Sequence, residues 1–208
     1  DGIIPLLEIA HIGPVLDDGE CLGAVHLCFG VGLPEGAAGD FGHFHIVGHE
    51  PVIHDTDLLG FSDGGNIALL FALRHPERVR RLILNSANLF PEGLCGWLHE
   101  SFLQSYEEAC ASDEPDAPYK AALLELMINE PHIDPAELSA LTMPTLVIAG
   151  DQDIVAFEHT LLITASIPNA RLAIVPGGHD VANRHPAVFN AAVRAFFEET
   201  EGSEEESV

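Results

Sequence analysis

The fold is decided by one stretch of the chain, Leu58-Leu59-Gly60-Phe61-Ser62-Asp63-Gly64-Gly65-Asn66-Ile67-Ala68. It opens with a short apolar run typical of a buried strand, and a helical pattern begins near Gly64 and continues to Arg74. Between them lies the pattern Gly-x-Ser-x-Gly, in which small residues on both sides of Ser62 permit a sharp turn from strand to helix. We therefore predict a nucleophile elbow, with the Ser62 hydroxyl exposed at a strand end and able to attack a substrate.

Further apolar runs follow the elbow, and helical stretches separate them. We predict strands at residues 81–85, 145–149 and 172–175, and helices at residues 64–74, 157–166 and 185–199. Strands that alternate with helices indicate a parallel sheet. Continuous apolar strands agree, because such a sheet is covered on both faces. The predicted fold class is α/β, with a mostly parallel sheet and flanking helices.

Two segments depart from this alternation. Residues 90–140 contain helical patterns at 97–111 and 119–129, which we interpret as a small helical cap inserted over the site. The tail at about residues 200–208 is rich in glutamate, and we predict that it is disordered beyond Thr200.

The charge balance limits the possible partners. With 33 acidic against 8 basic residues the net charge is −25, which repels phosphate backbones and anionic lipid. We therefore expect no nucleic-acid or membrane partner, and a small-molecule substrate instead. Two explanations of the acidity stay open: adaptation to high salt, or an acidic tail with a compositional bias. No apolar run approaches the ~18 residues of a membrane span and no signal-peptide pattern is visible, so we expect a cytoplasmic protein.

A serine nucleophile needs a base, and the base needs a group that orients it. Such partners are expected in the order acid, then histidine, after later strands. Asp153 follows the strand at 145–149, and His179 follows the strand at 172–175. Asp151, in the same loop as Asp153, is the alternative acid. The backbone N–H of Asp63 would supply half of an oxyanion hole.

These residues extend into a wider pattern that resembles the α/β-hydrolase superfamily, in particular its esterase-like branch with a small helical cap. The resemblance covers about residues 57–199. It implies one domain over residues 1–208, with Ser62 as nucleophile, His179 as base and Asp153 as acid, and it implies no cofactor. Further matching stretches are Arg74-His75-Pro76-Glu77-Arg78-Val79, Asn85-Ser86-Ala87-Asn88-Leu89 and Gly177-Gly178-His179.

The N-terminal part departs from the family pattern. The family takes its second oxyanion N–H from a His-Gly loop after an earlier strand, and the best substitute here is Cys28-Phe29-Gly30-Val31-Gly32, with Phe29 or Gly30 as the donor. A strand at 44–47 would leave too few residues before the elbow strand for a crossover helix. We predict a shortened or atypical N-terminal part.

Three functions are compatible with the sequence. The leading one is a serine hydrolase that cleaves a small ester, thioester or amide. The alternative is a non-catalytic or inactive α/β-hydrolase-like protein with an incomplete N-terminal part. A metal enzyme is the third, but the candidate ligands fit no known ligand spacing, so we predict no metal. Those ligands are His43, His45, His49, His54 and Asp55.

Overall fold

A five-stranded parallel sheet forms the centre of the structure, a computed structural model that describes residues 25–26 and 56–205, with side chains for residues 56–201. The strands lie side by side in chain order. They are β1 (Val25–His26), β2 (Thr56–Phe61), β3 (Val79–Asn85), β4 (Thr145–Gly150) and β5 (Ala170–Val175).

Helices connect and flank these strands, as the alternating pattern predicts. They are α1 (Asp63–Arg74), α2 (Gly96–Cys110), α3 (Ala117–Asn129), α4 (Phe157–Ser166), α5 (Val181–Arg184) and α6 (Pro186–Glu205). The α/β class with its parallel sheet is confirmed. The two helices predicted within residues 90–140 are present as α2 and α3. They follow β3 and precede β4 in the chain, and they pack on each other.

At the central strand β3 both faces of the sheet are covered, as the continuous apolar strands indicate. Leu82 and Leu84 of β3 point to one face, where Leu69 of α1 joins the same cluster. Ile83 points to the other face and shares a cluster with Phe189 of α6. All five side chains are at most 1% exposed. Burial of this kind contributes about 1.5–3 kcal/mol for each large aliphatic side chain, so these faces hold the sheet in place.

Helix α6 extends further into the acidic tail than the sequence predicts. We predicted disorder beyond Thr200, but α6 continues to Glu205. Glutamate is a good helix former, and the side chain of Arg81 stabilises this end of the helix. Its Nη1 donates to Thr200 Oγ1 at 3.3 Å and to Glu201 Oε1 at 3.5 Å, and its guanidinium lies 4.4 Å from the centre of the Phe197 ring.

A partly buried ion-pair cluster joins β2 to β3. Asp57 accepts hydrogen bonds from Nε and Nη2 of both Arg80 and Arg81, at 2.7–3.0 Å. The side chain of Arg81 is only 4% exposed and that of Asp57 is 11% exposed. Burial alone would raise the pKa of Asp57, but the hydrogen bonds and charges of the two arginines outweigh it and lower the pKa.

Asp57→Asn should therefore lower the free energy of unfolding by about 2–4 kcal/mol at pH 7, because it removes the nearest counter-charge of the buried Arg81 and leaves only the exposed Glu201, at 3.5 Å. The pKa of Asp57 is lower in the folded state than its ordinary value of 3.8. Its contribution is thus complete above the unfolded pKa and is lost as the pH falls through the folded pKa. Urea titrations at pH 7 and at pH values below 3.8 should show the difference between variant and wild type shrinking with acidity.

The matched control is Asp116→Asn, which removes an exposed ion pair with Lys120 at 2.7 Å. An exposed pair of this type contributes little, so the control should unfold like the wild type. Equal stability losses in the two variants would contradict the importance we assign to the Asp57 cluster.

Candidate active site

The elbow at Ser62 is a strained turn between β2 and α1. Ser62 has φ 54° and ψ −124°, a combination that residues other than glycine rarely adopt. A Cβ atom on Gly60 would lie 2.2 Å from the Gly64 carbonyl oxygen, so the first glycine of the motif is required by space. The Ser62 N–H donates to the Asn85 carbonyl at 2.9 Å, which joins the turn to the end of β3.

His179 lies in hydrogen-bond contact with both Ser62 and Asp153. His179 Nε2 is 2.9 Å from Ser62 Oγ, and His179 Nδ1 is 2.8 Å from Asp153 Oδ1. Each residue follows the C-terminal end of a different strand, where loops of a parallel sheet converge. The Phe61 ring lies 4.8 Å from the His179 ring, centre to centre, and packs against the imidazole. Residues more than 100 positions apart in the chain therefore form one connected site.

The environment of Asp153 keeps its side chain charged. It is only 3% exposed, and burial would raise its pKa. The hydrogen bonds from His179, Ser86 and the Val155 N–H, together with the His179 charge, outweigh burial and lower the pKa of Asp153. A carboxylate accepts only, so Nδ1 of His179 carries the proton, and Nε2 is left to accept the Ser62 hydroxyl proton.

Asp151, the alternative acid, takes a different position. Its Oδ1 accepts the Gly177 N–H at 2.9 Å, and no contact with His179 is present. Gly177 has φ 140°, which favours glycine, and a Cβ atom on Gly150 would lie 2.3 Å from the Gly177 carbonyl oxygen. Asp151 and the two glycines thus shape the loop that carries His179.

The predicted oxyanion donors divide into two groups. Asp63 is the first residue of α1, so its N–H has no partner within the helix and lies next to Ser62 in the chain. Desolvation raises the pKa of the Asp63 carboxyl, and the charge of nearby His179 opposes that rise. Phe29 and Gly30 lie outside the described residues. Of the same N-terminal region, β1 is described, and it pairs with β2 beside the elbow.

The metal alternative rests on residues outside the described ranges, as does the strand predicted at 44–47. Within residues 56–201, no group of three or more histidine, cysteine, aspartate or glutamate side chains could hold a metal ion. None of the described helices is both long enough and apolar enough to span a membrane.

Comparison with known proteins identifies the family. The family model described as alpha/beta hydrolase fold matches residues 53–111, a segment that includes the elbow. The 2-hydroxymuconate semialdehyde hydrolase of Pseudomonas sp. strain CF600 is 33% identical over 183 residues, which covers 73% of this chain and 65% of that protein. The chain belongs to the α/β-hydrolase superfamily. The resemblance inferred from the sequence is therefore confirmed.

Two other comparisons set the extent of the likeness. The meta-cleavage product hydrolase CumD from Pseudomonas fluorescens IP01 has the same fold with a TM-score of 0.57 at 22% identity, over 71% of this chain and 66% of that one. A polyketide synthase of Burkholderia thailandensis, ThaQ, is 34% identical over 181 residues, which is 69% of this chain but 8% of that protein. This α/β-hydrolase chain thus spans less than two thirds of the length of ThaQ and of the 2-hydroxymuconate semialdehyde hydrolase.

Sequence reasoning missed one polar residue at the site. Ser86 directly follows β3, is 3% exposed, and places its Oγ 2.5 Å from Asp153 Oδ2. Its position directly after a predicted strand could have indicated a place at the site, because the carboxyl ends of neighbouring parallel strands meet at one edge of the sheet. Asn88 and His159 are also buried near this edge, but they bind backbone and side-chain groups that hold the loop together.

Proposed function

We propose that this chain is a serine hydrolase that cleaves a small ester, thioester or amide through an acyl-enzyme. The observation that carries the proposal is the continuous line of contacts from Asp153 Oδ1 to His179 Nδ1 and from His179 Nε2 to Ser62 Oγ, at 2.8 and 2.9 Å. These distances lie within the range expected for a nucleophile, its base and the group that orients the base.

In the proposed reaction, Ser62 Oγ attacks the substrate carbonyl carbon while His179 Nε2 takes the hydroxyl proton. The negative charge that develops on the carbonyl oxygen is stabilised by the Asp63 N–H and by the positive end of the α1 dipole. His179 then gives its proton to the leaving group, and the acyl group stays on Ser62. A water molecule, deprotonated by His179, then attacks the carbonyl carbon of the acyl-enzyme. This step releases the carboxylic acid product and returns the proton to Ser62 Oγ. Asp153 keeps its charge throughout and stabilises the imidazolium.

The hydrolase names of the relatives support a reaction of this kind. The relatives include 2-hydroxymuconate semialdehyde hydrolases and a protein named as a putative carbamate hydrolase of Caulobacter sp. strain K31. Because these names span different compounds, we propose the reaction type and a small carbonyl substrate, and no single compound.

We propose further that the α2–α3 insertion is a cap that shapes the substrate pocket. The segment that leads into α2 is hydrogen-bonded to the loop that follows Asp153. The Cys95 N–H donates to the Ile154 carbonyl and the Ala156 N–H donates to the Gly93 carbonyl, both at 2.8 Å. A movement of the insertion would therefore be transmitted to the loop that carries the proposed acid.

The direct test is labelling of the wild-type chain with a fluorophosphonate, read by intact mass. We expect one adduct, located on Ser62 by peptide mapping, and no adduct on heat-denatured protein, because reaction requires the folded site. The absence of any adduct at a probe concentration that fully labels a known esterase would contradict the proposal. Stabilisation of the chain by small esters without any turnover would instead favour the non-catalytic alternative.

A further inference from the structure

We propose that Ser86 is a positioning residue for Asp153, whose carboxylate it holds with Oδ1 facing His179. The inference rests on the proposed function, since it concerns the acid of that site. Ser86 Oγ lies 2.5 Å from Asp153 Oδ2, the separation of a short hydrogen bond between a hydroxyl and a charged carboxylate. Ser86 is 3% exposed, so water does not compete for this contact.

The neighbouring Asn85 determines where the single Ser86 proton goes. Ser86 Oγ also lies 3.0 Å from Asn85 Oδ1, but a hydroxyl can donate only once. At the same time, Asn85 Nδ2 is buried with no hydrogen-bond partner among the residues the structure describes. Half a turn of the Asn85 amide resolves both features, because Nδ2 then donates to Ser86 Oγ and the serine proton is free for Asp153. In this arrangement the Asn85 amide donates to Ser86 Oγ, and the Ser86 hydroxyl donates to Asp153 Oδ2.

The backbone of Asn85 and Ser86 joins the two halves of the site. The Asn85 carbonyl accepts the Ser62 N–H at 2.9 Å, and the Ser86 N–H donates to the Ile148 carbonyl of β4 at 3.0 Å. Ser86 has φ 56°, a left-handed conformation in which glycine is the less strained residue. Serine is disfavoured in this backbone conformation, and the contact of its side chain with Asp153 is the interaction that offsets the strain.

The hydrogen bonds of Asp153 show why this donor matters. Oδ1 accepts from His179 Nδ1 and from the Val155 N–H at 3.1 Å. Oδ2 accepts from Ser86 and from the Gly150 N–H at 3.3 Å, a longer contact. Without the Ser86 hydroxyl, rotation of the carboxylate about χ2 is restrained mainly from one side, because that torsion is intrinsically broad. His179 would then be oriented less well toward Ser62.

The test compares Ser86→Gly with Ser86→Ala. Both variants remove the hydroxyl, but glycine accepts φ 56° without strain whereas alanine retains it. We expect both to lower kcat for a p-nitrophenyl ester by roughly tenfold to hundredfold with KM unchanged, because Ser86 touches Asp153 and not the substrate. The acidic limb of kcat/KM should move to higher pH, because the Ser86 hydrogen bond is one of the interactions that lower the pKa of Asp153, and both variants lack it. Thermal melts should place Ser86→Gly above Ser86→Ala.

Ser166→Ala serves as the control, because among the described residues the Ser166 hydroxyl bonds only the Leu162 carbonyl of α4, at 2.8 Å. It should keep the wild-type kcat and pH profile. A merely structural role of Ser86 predicts that the glycine variant is fully active and only the alanine variant is impaired. Wild-type kcat and pH profile in Ser86→Gly, with turnover by the wild type, would overturn the positioning role and leave the proposed function intact.

A readout without turnover separates the two proposals. The proton between His179 Nδ1 and Asp153 gives a low-field NMR resonance when the contact is formed. Absence of labelling and turnover in the wild type would overturn the proposed function, and this resonance would still test Ser86. A resonance displaced in Ser86→Gly and unmoved in Ser166→Ala supports the positioning role, and a resonance unmoved in both overturns it.

Discussion

Ser62→Ala is expected to lower kcat/KM for p-nitrophenyl acetate by roughly 10⁵-fold and to abolish fluorophosphonate labelling, while the chain stays folded. The variant removes the oxygen that would form the acyl-enzyme, and no other hydroxyl contacts His179 Nε2 within the described part of the chain. The remaining rate would come from substrate binding and from the Asp63 N–H. Stopped-flow or plate-reader kinetics measure the loss of kcat/KM, and circular dichroism shows whether the chain stays folded.

Ser62→Gly adds an independent check on the same residue. Because Ser62 has φ 54°, glycine relieves strain that alanine retains, so Ser62→Gly should melt at a higher temperature than Ser62→Ala although both are inactive. Retention of more than a tenth of wild-type activity in either variant would contradict the role we assign to Ser62.

Asp153→Asn is expected to lower kcat by roughly 10³–10⁴-fold. An asparagine can turn its Nδ2 toward His179, which favours the tautomer with the proton on Nε2. That tautomer cannot accept the Ser62 hydroxyl proton. The variant also loses the charge that stabilises the imidazolium. Steady-state kinetics together with the rate of fluorophosphonate labelling measure the effect, and both rates should fall together.

Asp151→Asn is the matched control in the same loop. Its contact is with the Gly177 N–H, and an asparagine Oδ1 can still accept that hydrogen bond. The variant should therefore keep most of the wild-type activity. The reverse result, with Asp151→Asn inactive and Asp153→Asn active, would transfer the role of acid to Asp151.

Several strand and helix limits lay beyond what local patterns encode. We predicted that the elbow strand begins at Leu58, but β2 begins at Thr56 and includes the charged Asp57. A carboxylate is unfavourable in a strand by its own propensity, and this one is stabilised by Arg80 and Arg81 of the adjacent strand. The four residues of α5 were also missed, because so short a helix carries no periodic pattern.

The sequence alone was sufficient for the elbow, for the parallel α/β arrangement, and for Ser62, Asp153 and His179 as candidates in their chain order. These features depend on local patterns: the spacing of glycines around a serine, apolar runs, and polar residues directly after them. The choice of side chain within a loop was not determined in this way, since Asp151 remained an alternative to Asp153 by position.

Only the tertiary structure decided that Asp153 contacts His179, that Asp151 holds the His179 loop, and that Ser86 contacts Asp153. It also decided that Arg81 stabilises the end of α6. The physical reason is the same in each case. These contacts join residues 26 to 119 positions apart, and they form only when the order and register of the strands bring the strand ends to one edge. Such distances depend on the packing of the whole sheet, which no local pattern specifies.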